Sequence, residues 1–137
     1  MKTYKKELFR VEKDINIKTY DIDFAGHVNN VVYIRWLEDM RLLWLEKFLP
    51  LEELTENKLF PVIRSTHIEY KRQLKMFDKV KAVTYLSKME RELIWTLRTE
   101  FLVDNKFSAI AEQKGVAFNL ETNKMVGLPA AMINLDK

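Results

Sequence analysis

The chain has 137 residues, 47% of them hydrophobic and 31% charged, with a formal net charge of +3. That length suits one domain with a packed core. The mild basicity suits an anionic ligand, and no basic cluster interleaved with exposed aromatics marks a nucleic-acid surface. The absence of cysteine excludes disulfides, thiol nucleophiles and cysteine-ligated zinc, and fits a cytoplasmic protein.

The first residues, "MKTYKKELFR", are charged and lack an apolar run, so no signal peptide is expected. No apolar stretch is long enough to span a membrane. There is no repeat, linker or low-complexity segment, and one domain over residues 1–137 is expected. Ile15, Ile17 and Thr19 alternate with Asn16, Lys18 and Tyr20, which predicts a strand running into "TYDIDFAGHVNNVVYIRW", residues 19–36. From about Asn30 to Leu49 the spacing turns helical: Tyr33, Trp36, Leu37, Met40 and Trp44 form one stripe. Ile34, Leu42, Leu43, Leu45 and Phe48 fill much of the rest, so this helix needs cover on most sides. Pro50 ends it, and Leu51 to Lys58 reads as a loop.

Strand-like segments follow: Pro61 to about Leu74, Lys79 to Lys88, Leu93 to Val103 and Phe107 to Leu120. "DNK" at Asp104–Lys106 reads as a hairpin turn, and Gly115 as a bulge or a close approach. Short connections make these strands antiparallel neighbours. The expected class is α+β: an antiparallel sheet wrapped around one long central helix, which is the hotdog fold. A lone copy leaves helix surface and a sheet edge open, so a homodimer or homotetramer is expected.

The polar chemistry is concentrated before the helix. Asn29 and Asn30 stand at its start, where asparagine caps well, and Gly26 suits a tight turn. Each alone is an ordinary turn residue. Together they place free N–H groups and a positive dipole end beside Asp23. Such N–H groups stabilise an oxyanion, and a neighbouring carboxylate serves as general base toward water or as nucleophile. His27 is suited to orienting substrate or sharing a proton. The set suits hydrolysis of an activated acyl group.

Other chemistries fit worse. Asp21, Asp23 and His27 are of metal-ligand type, but two histidines without cysteine make a metal site unexpected. Ser65, Ser87 and Ser108 stand in no G-x-S-x-G elbow, and no glycine-rich phosphate loop exists. His67, within "RSTHIEYKRQL", reads as a strand residue.

"YDIDFAGHVNNVVYIRWLEDMR" resembles the signature of the hotdog thioesterases, in the 4-hydroxybenzoyl-CoA thioesterase-like and acyl-ACP thioesterase group, and "IEYKRQL" resembles the strand after the helix in the acyl-ACP branch. The resemblance implies hydrolysis of acyl-CoA or acyl-ACP without a cofactor. It implies Asp23 as catalyst, the backbone N–H near Asn30 as the carbonyl-polarising group, and His27 as the histidine of the acyl-ACP branch. Gly26, Val28, Asn29, Tyr33 and Gln73 are expected to bind substrate. Lys71, Arg72 and Lys75 suit coenzyme A phosphates, or form a solvated basic strand end. In the acyl-ACP branch an asparagine stands where this chain has Ala25, and a carboxylate where it has Gln73. A hotdog module that binds acyl thioesters without hydrolysing them is the alternative; neither nucleic acid nor membrane is an expected partner.

Overall fold

The computed structural model describes residues 2–127; the ends of the expected 1–137 domain lie outside the described residues. In chain order the elements are β1 (Lys2–Ile15), a 3-10 turn (Thr19–Asp21), α1 (Asn30–Phe48), α2 (Leu51–Glu56), β2 (Leu59–Tyr70), β3 (Val80–Glu90), β4 (Ile94–Val103), β5 (Lys106–Asn119) and β6 (Lys124–Val126). Every strand pair is antiparallel, in the order β1-β3-β4-β5-β2, with β6 also on β5. This curled sheet around one long helix is the expected hotdog arrangement.

Three local expectations are corrected. The strand expected from Ile15 to Tyr20 lies earlier, as β1, which ends at Ile15. Its many charges suit an edge strand and obscure the alternation. Residues 19–21 instead form a 3-10 turn, because the buried Asp21 carboxylate accepts the Lys18 N–H at 2.9 Å and competes with ladder pairing. Leu51 to Lys58, expected as a loop, contains α2. Pro50 presets its start, Glu52 and Glu53 suit its first turn, and Leu54 is buried. The segment expected to run to Leu74 stops as β2 at Tyr70, since the next two N–H groups, of Lys71 and Arg72, both turn to the Ser108 carbonyl.

The helix spans Asn30–Phe48, against an expected end near Leu49. Its buried residues are Val32, Tyr33, Trp36, Leu37, Met40 and Trp44, the stripe that the sequence spacing draws. Small residues of β5, Ala109, Ala111 and Ala117, are buried in the same core. Two polar links tie the layers. Arg41 donates to the Gln113 side chain at 2.9 Å, and Gln113 donates on to Thr66 at 3.0 Å. The Trp44 indole N–H donates to the Phe9 carbonyl at 2.8 Å. The other side of α1 stays open: Val31, Ile34 and Leu42 are exposed.

Asp104 and Asn105 carry φ of 52° and 63°, the left-handed pair of a two-residue hairpin turn. Of the two features expected of Gly115 it is the close approach, while the bulge lies on the strand opposite. A Cβ there would lie 2.5 Å from the Trp95 indole, and opposite it β2 steps from Ile63 to Ser65 with Arg64 bulged out. Among the described residues no helix is long and apolar enough to cross a membrane.

Candidate active site

The motif folds as a closed turn. Ile22 and Val28 form an antiparallel bridge, the Asp23 N–H donates to the His27 carbonyl at 2.8 Å, and the Gly26 N–H donates to the Asp23 carbonyl at 3.0 Å. The turn needs a left-handed residue, and Gly26 supplies it with φ of 84°. Space beside Gly26 is open, so conformation and not crowding selects glycine there. One oxygen of Asp23 is fully used: Oδ1 accepts the N–H of Ala25 at 2.9 Å and of His27 at 3.2 Å. Among the described residues Oδ2 has no protein partner.

The helix start is fastened to the same turn. The Val28 N–H donates to the Leu74 carbonyl at 2.8 Å and the Asn29 N–H to the Asp21 carbonyl at 2.9 Å. Asn29 is the N-cap, its side chain accepting the Val31 N–H at 3.0 Å. The Asn30 N–H, first in the helix, meets no acceptor among the described residues. It is one of the orphan donors every helix start carries.

The facing wall is the segment after β2. Ser108 is a bulge in β5, where pairing steps from Phe101–Ala109 to Leu102–Phe107. Its carbonyl accepts the N–H groups of Lys71 at 2.8 Å and Arg72 at 3.0 Å. Its hydroxyl donates to the Phe101 carbonyl at 3.2 Å and accepts the Tyr33 hydroxyl at 3.4 Å. The Tyr70 hydroxyl donates to the Asn30 carbonyl at 3.3 Å, joining this wall to the helix start.

Between the walls lies a cleft of about 500 Å³. It gathers Asp23, His27, Val28, Asn29, Asn30 and Tyr33 from one side, and Lys71, Arg72 and Gln73 from the other. Gly26 and Lys75 do not line it: Gly26 shapes the turn behind Asp23, and Lys75 opens the next turn beyond Leu74. Lys71 is already paired with Glu69 at 2.9 Å. His67 lies outside the cleft, exposed on β2.

Tyr33 forms the aromatic floor, edge-on to Trp36, Tyr70 and Phe101. Burial pushes its phenol up to about 12, outweighing the Ser108 hydrogen bond, so it stays neutral. Burial also raises Tyr70. The arrangement therefore offers an anchored carboxylate with one open oxygen, an unengaged N–H at a helix start, and a neutral aromatic floor. Sequence reasoning missed Tyr70, Leu74 and Ser108 as site residues. Tyr70 stands inside the "IEYKRQL" segment, which was the available signal; nothing local marks Ser108, whose role depends on a bulge.

The sequence model of the thioesterase-like superfamily matches residues 17–134. No curated protein sequence shows significant similarity to the chain. Solved structures do. A gentisyl-coenzyme A thioesterase superposes with a TM-score of 0.77 at 21% identity, covering 90% of this chain and 99% of its own. YbaW, a probable thioesterase of Escherichia coli, gives 0.79 at 23% identity over 88% of this chain and 92% of its own. A 1,4-dihydroxy-2-naphthoyl-CoA thioesterase of Synechocystis gives 0.79 at 16% identity over 93% and 98%. At these identities the structural likeness carries the fold alone.

Proposed function

This chain belongs to the thioesterase-like superfamily, and from that premise we propose that it hydrolyses an acyl thioester to a free carboxylic acid and a thiol. The observation that supports the reading is the shared cleft at the start of α1: it is lined both by Asp23, whose Oδ2 has no protein partner among the described residues, and by Asn30, whose N–H is unengaged. The thioester carbonyl oxygen accepts the Asn30 N–H, aided by the positive end of the helix dipole. Asp23 takes a proton from water as the water attacks the carbonyl carbon, and the thiolate leaves and takes up that proton; or Asp23 attacks directly, the thiolate leaves, and water then hydrolyses the acyl-aspartyl anhydride to the free acid and restores the carboxylate. His27 lies in the same cleft for orienting the substrate or sharing that proton. Gln73 can hydrogen-bond the substrate but cannot act as a base. The acyl group lies against Tyr33 and Tyr70.

The thiol is coenzyme A or an acyl carrier protein; the names of two similar structures, both coenzyme A thioesterases, favour the former. The working unit is a homodimer, with the open side of α1 and the β2 edge covered by a second copy. The departures at Ala25 and Gln73 favour one rival, a module that binds acyl thioesters without turnover. A panel of acyl-CoA substrates, varied in chain length and aromatic character, separates the two. Release of free thiol with at least one of them supports hydrolysis, and tight binding with no release on any supports the rival.

A further inference from the structure

Asp21 is the one charged side chain buried among the described residues, at 4% exposure. Its Oδ2 accepts the Lys18 N–H at 2.9 Å. Its Oδ1 has no protein partner among them and is not sealed from solvent. A buried carboxylate is costly unless it is hydrogen-bonded and its charge is compensated. No cation of the described residues pairs with this one.

Asp21 lines a separate cleft of about 310 Å³, between the end of β1, the 3-10 turn and α1. That volume stands at the lower end of the ~300–1,000 Å³ of small-molecule sites. The cleft shares no lining residue with that of Asp23: Val32 lines one and Tyr33 the other, so the first turns of α1 stand between them. The buried Val32, Trp36 and Met40 give its lining an apolar part. The rest is charged, with Lys13, Lys18 and Arg35 against Asp14 and Asp39, and none of these five forms an ion pair among the described residues. An anion alone would meet Asp14, Asp21 and Asp39. A cation alone would meet Lys13, Lys18 and Arg35. A small molecule carrying both charges finds a partner for each.

We propose that this cleft is a second ligand site, for an apolar α-amino acid. The ammonium donates to Asp21 Oδ1, the carboxylate accepts from Arg35 and a neighbouring lysine, and the side chain lies against Trp36 and Met40. The site also reaches the helix start, because the Asp21 carbonyl holds the Asn29 N–H at 2.9 Å and Asn29 caps α1. Occupancy therefore bears on the Asn30 N–H, one residue on. That link rests on the thioesterase reading, whereas the binding does not.

The test is calorimetric titration of the full chain with L-leucine and L-phenylalanine. Isocaproate and isoamylamine, the leucine analogues lacking one charge each, are the controls. One or both amino acids are expected to bind, and the analogues ~10–100-fold more weakly, for loss of a charge-assisted hydrogen bond. Asp21→Asn and Arg35→Ala should weaken amino-acid binding by a similar factor. Arg35 is exposed on the helix, so that variant keeps its fold and decides alone if Asp21→Asn does not fold. No binding of either amino acid at millimolar concentration leaves solvent in the cleft and overturns the assignment. Equal binding by the analogues, or unchanged binding by Arg35→Ala, overturns it too. Where a thioester is hydrolysed, the saturating amino acid should shift KM on the order of fivefold in wild type; unchanged KM and kcat overturn the link to the helix start. If no thioester is hydrolysed, the thioesterase reading and the link fail together, and the titration still decides the site.

Discussion

Asp23→Asn separates the carboxylate's two jobs. In the fold, Oδ1 holds the Ala25 N–H at 2.9 Å and the His27 N–H at 3.2 Å. Asparagine presents an oxygen at the same place and caps with similar strength. The stability cost is therefore expected below ~1 kcal/mol, a shift of a few degrees in Tm at most. The chemistry is different. The open Oδ2 becomes an amide nitrogen that neither takes a proton from water nor attacks a carbonyl. Positioned general bases contribute ~10²–10⁴-fold, so the barrier should rise by about 2.7–5.4 kcal/mol at ~1.36 kcal/mol per tenfold. Free-thiol release is the natural assay, since a chain without cysteine gives no background with a thiol reagent. Asp23→Ala is the companion, expected to lower both kcat and Tm because the two N–H groups lose their acceptor. Gln73→Ala is the control and should cost less kcat than Asp23→Asn. Near-wild-type kcat in a normally melting Asp23→Asn protein would refute the mechanism and leave Asp23 as a turn former.

Three further outcomes follow from the packing. Gly115→Ala puts a Cβ 2.5 Å from the buried Trp95 indole, a rigid neighbour, so thermal melting should show a loss of ~1–3 kcal/mol; an unchanged Tm would mean the indole moves freely. Two of the five tyrosines, Tyr33 and Tyr85, are pushed up to about 12, first of all by burial. Unfolded phenols lose their protons near pH 10, so the folded state binds more protons above that point. Stability should be intact below about pH 10 and fall from there toward pH 12; phenolate absorbance should show these two ionising last. Light scattering at micromolar concentration should give a dimer or tetramer, and Ile34→Glu on the open side of α1 should shift it toward monomer. A monomeric wild type with full activity would contradict the assembly.

The sequence was most legible where period and chemistry agreed. The stripe Tyr33, Trp36, Leu37, Met40 and Trp44 is helical by spacing and is the buried face observed. Asp104–Asn105 announced its turn because both residue types tolerate the left-handed region. Strand β1 was hidden because an edge strand needs little apolar alternation and gains from charge. Helix α2 was hidden because Pro50 reads equally as an end and as a beginning. Within the site, Asp23, His27, Asn29 and Asn30 were legible because one turn and one helix cap hold them, all within eight residues. Tyr70 and Ser108 were not, since their places depend on pairing between β2, β5 and the helix start, contacts 40 to 75 residues apart.

The register of β1 on β3, from Lys2 opposite Met89 to Ile15 opposite Val80, dictates an order of assembly. β1 precedes its partner β3 by more than sixty residues, so it has no partner until the ninth decade of the chain exists. The helix follows it out of the ribosome with its aromatic stripe equally uncovered. Meanwhile β3, β4 and β5 need only short loops to pair, so they close at low entropic cost and form a template. The N-terminal strand then docks across a loop of more than sixty residues. Until that moment the apolar stripe and the unpaired edges stay exposed, and the charges of β1 disfavour its pairing with other chains.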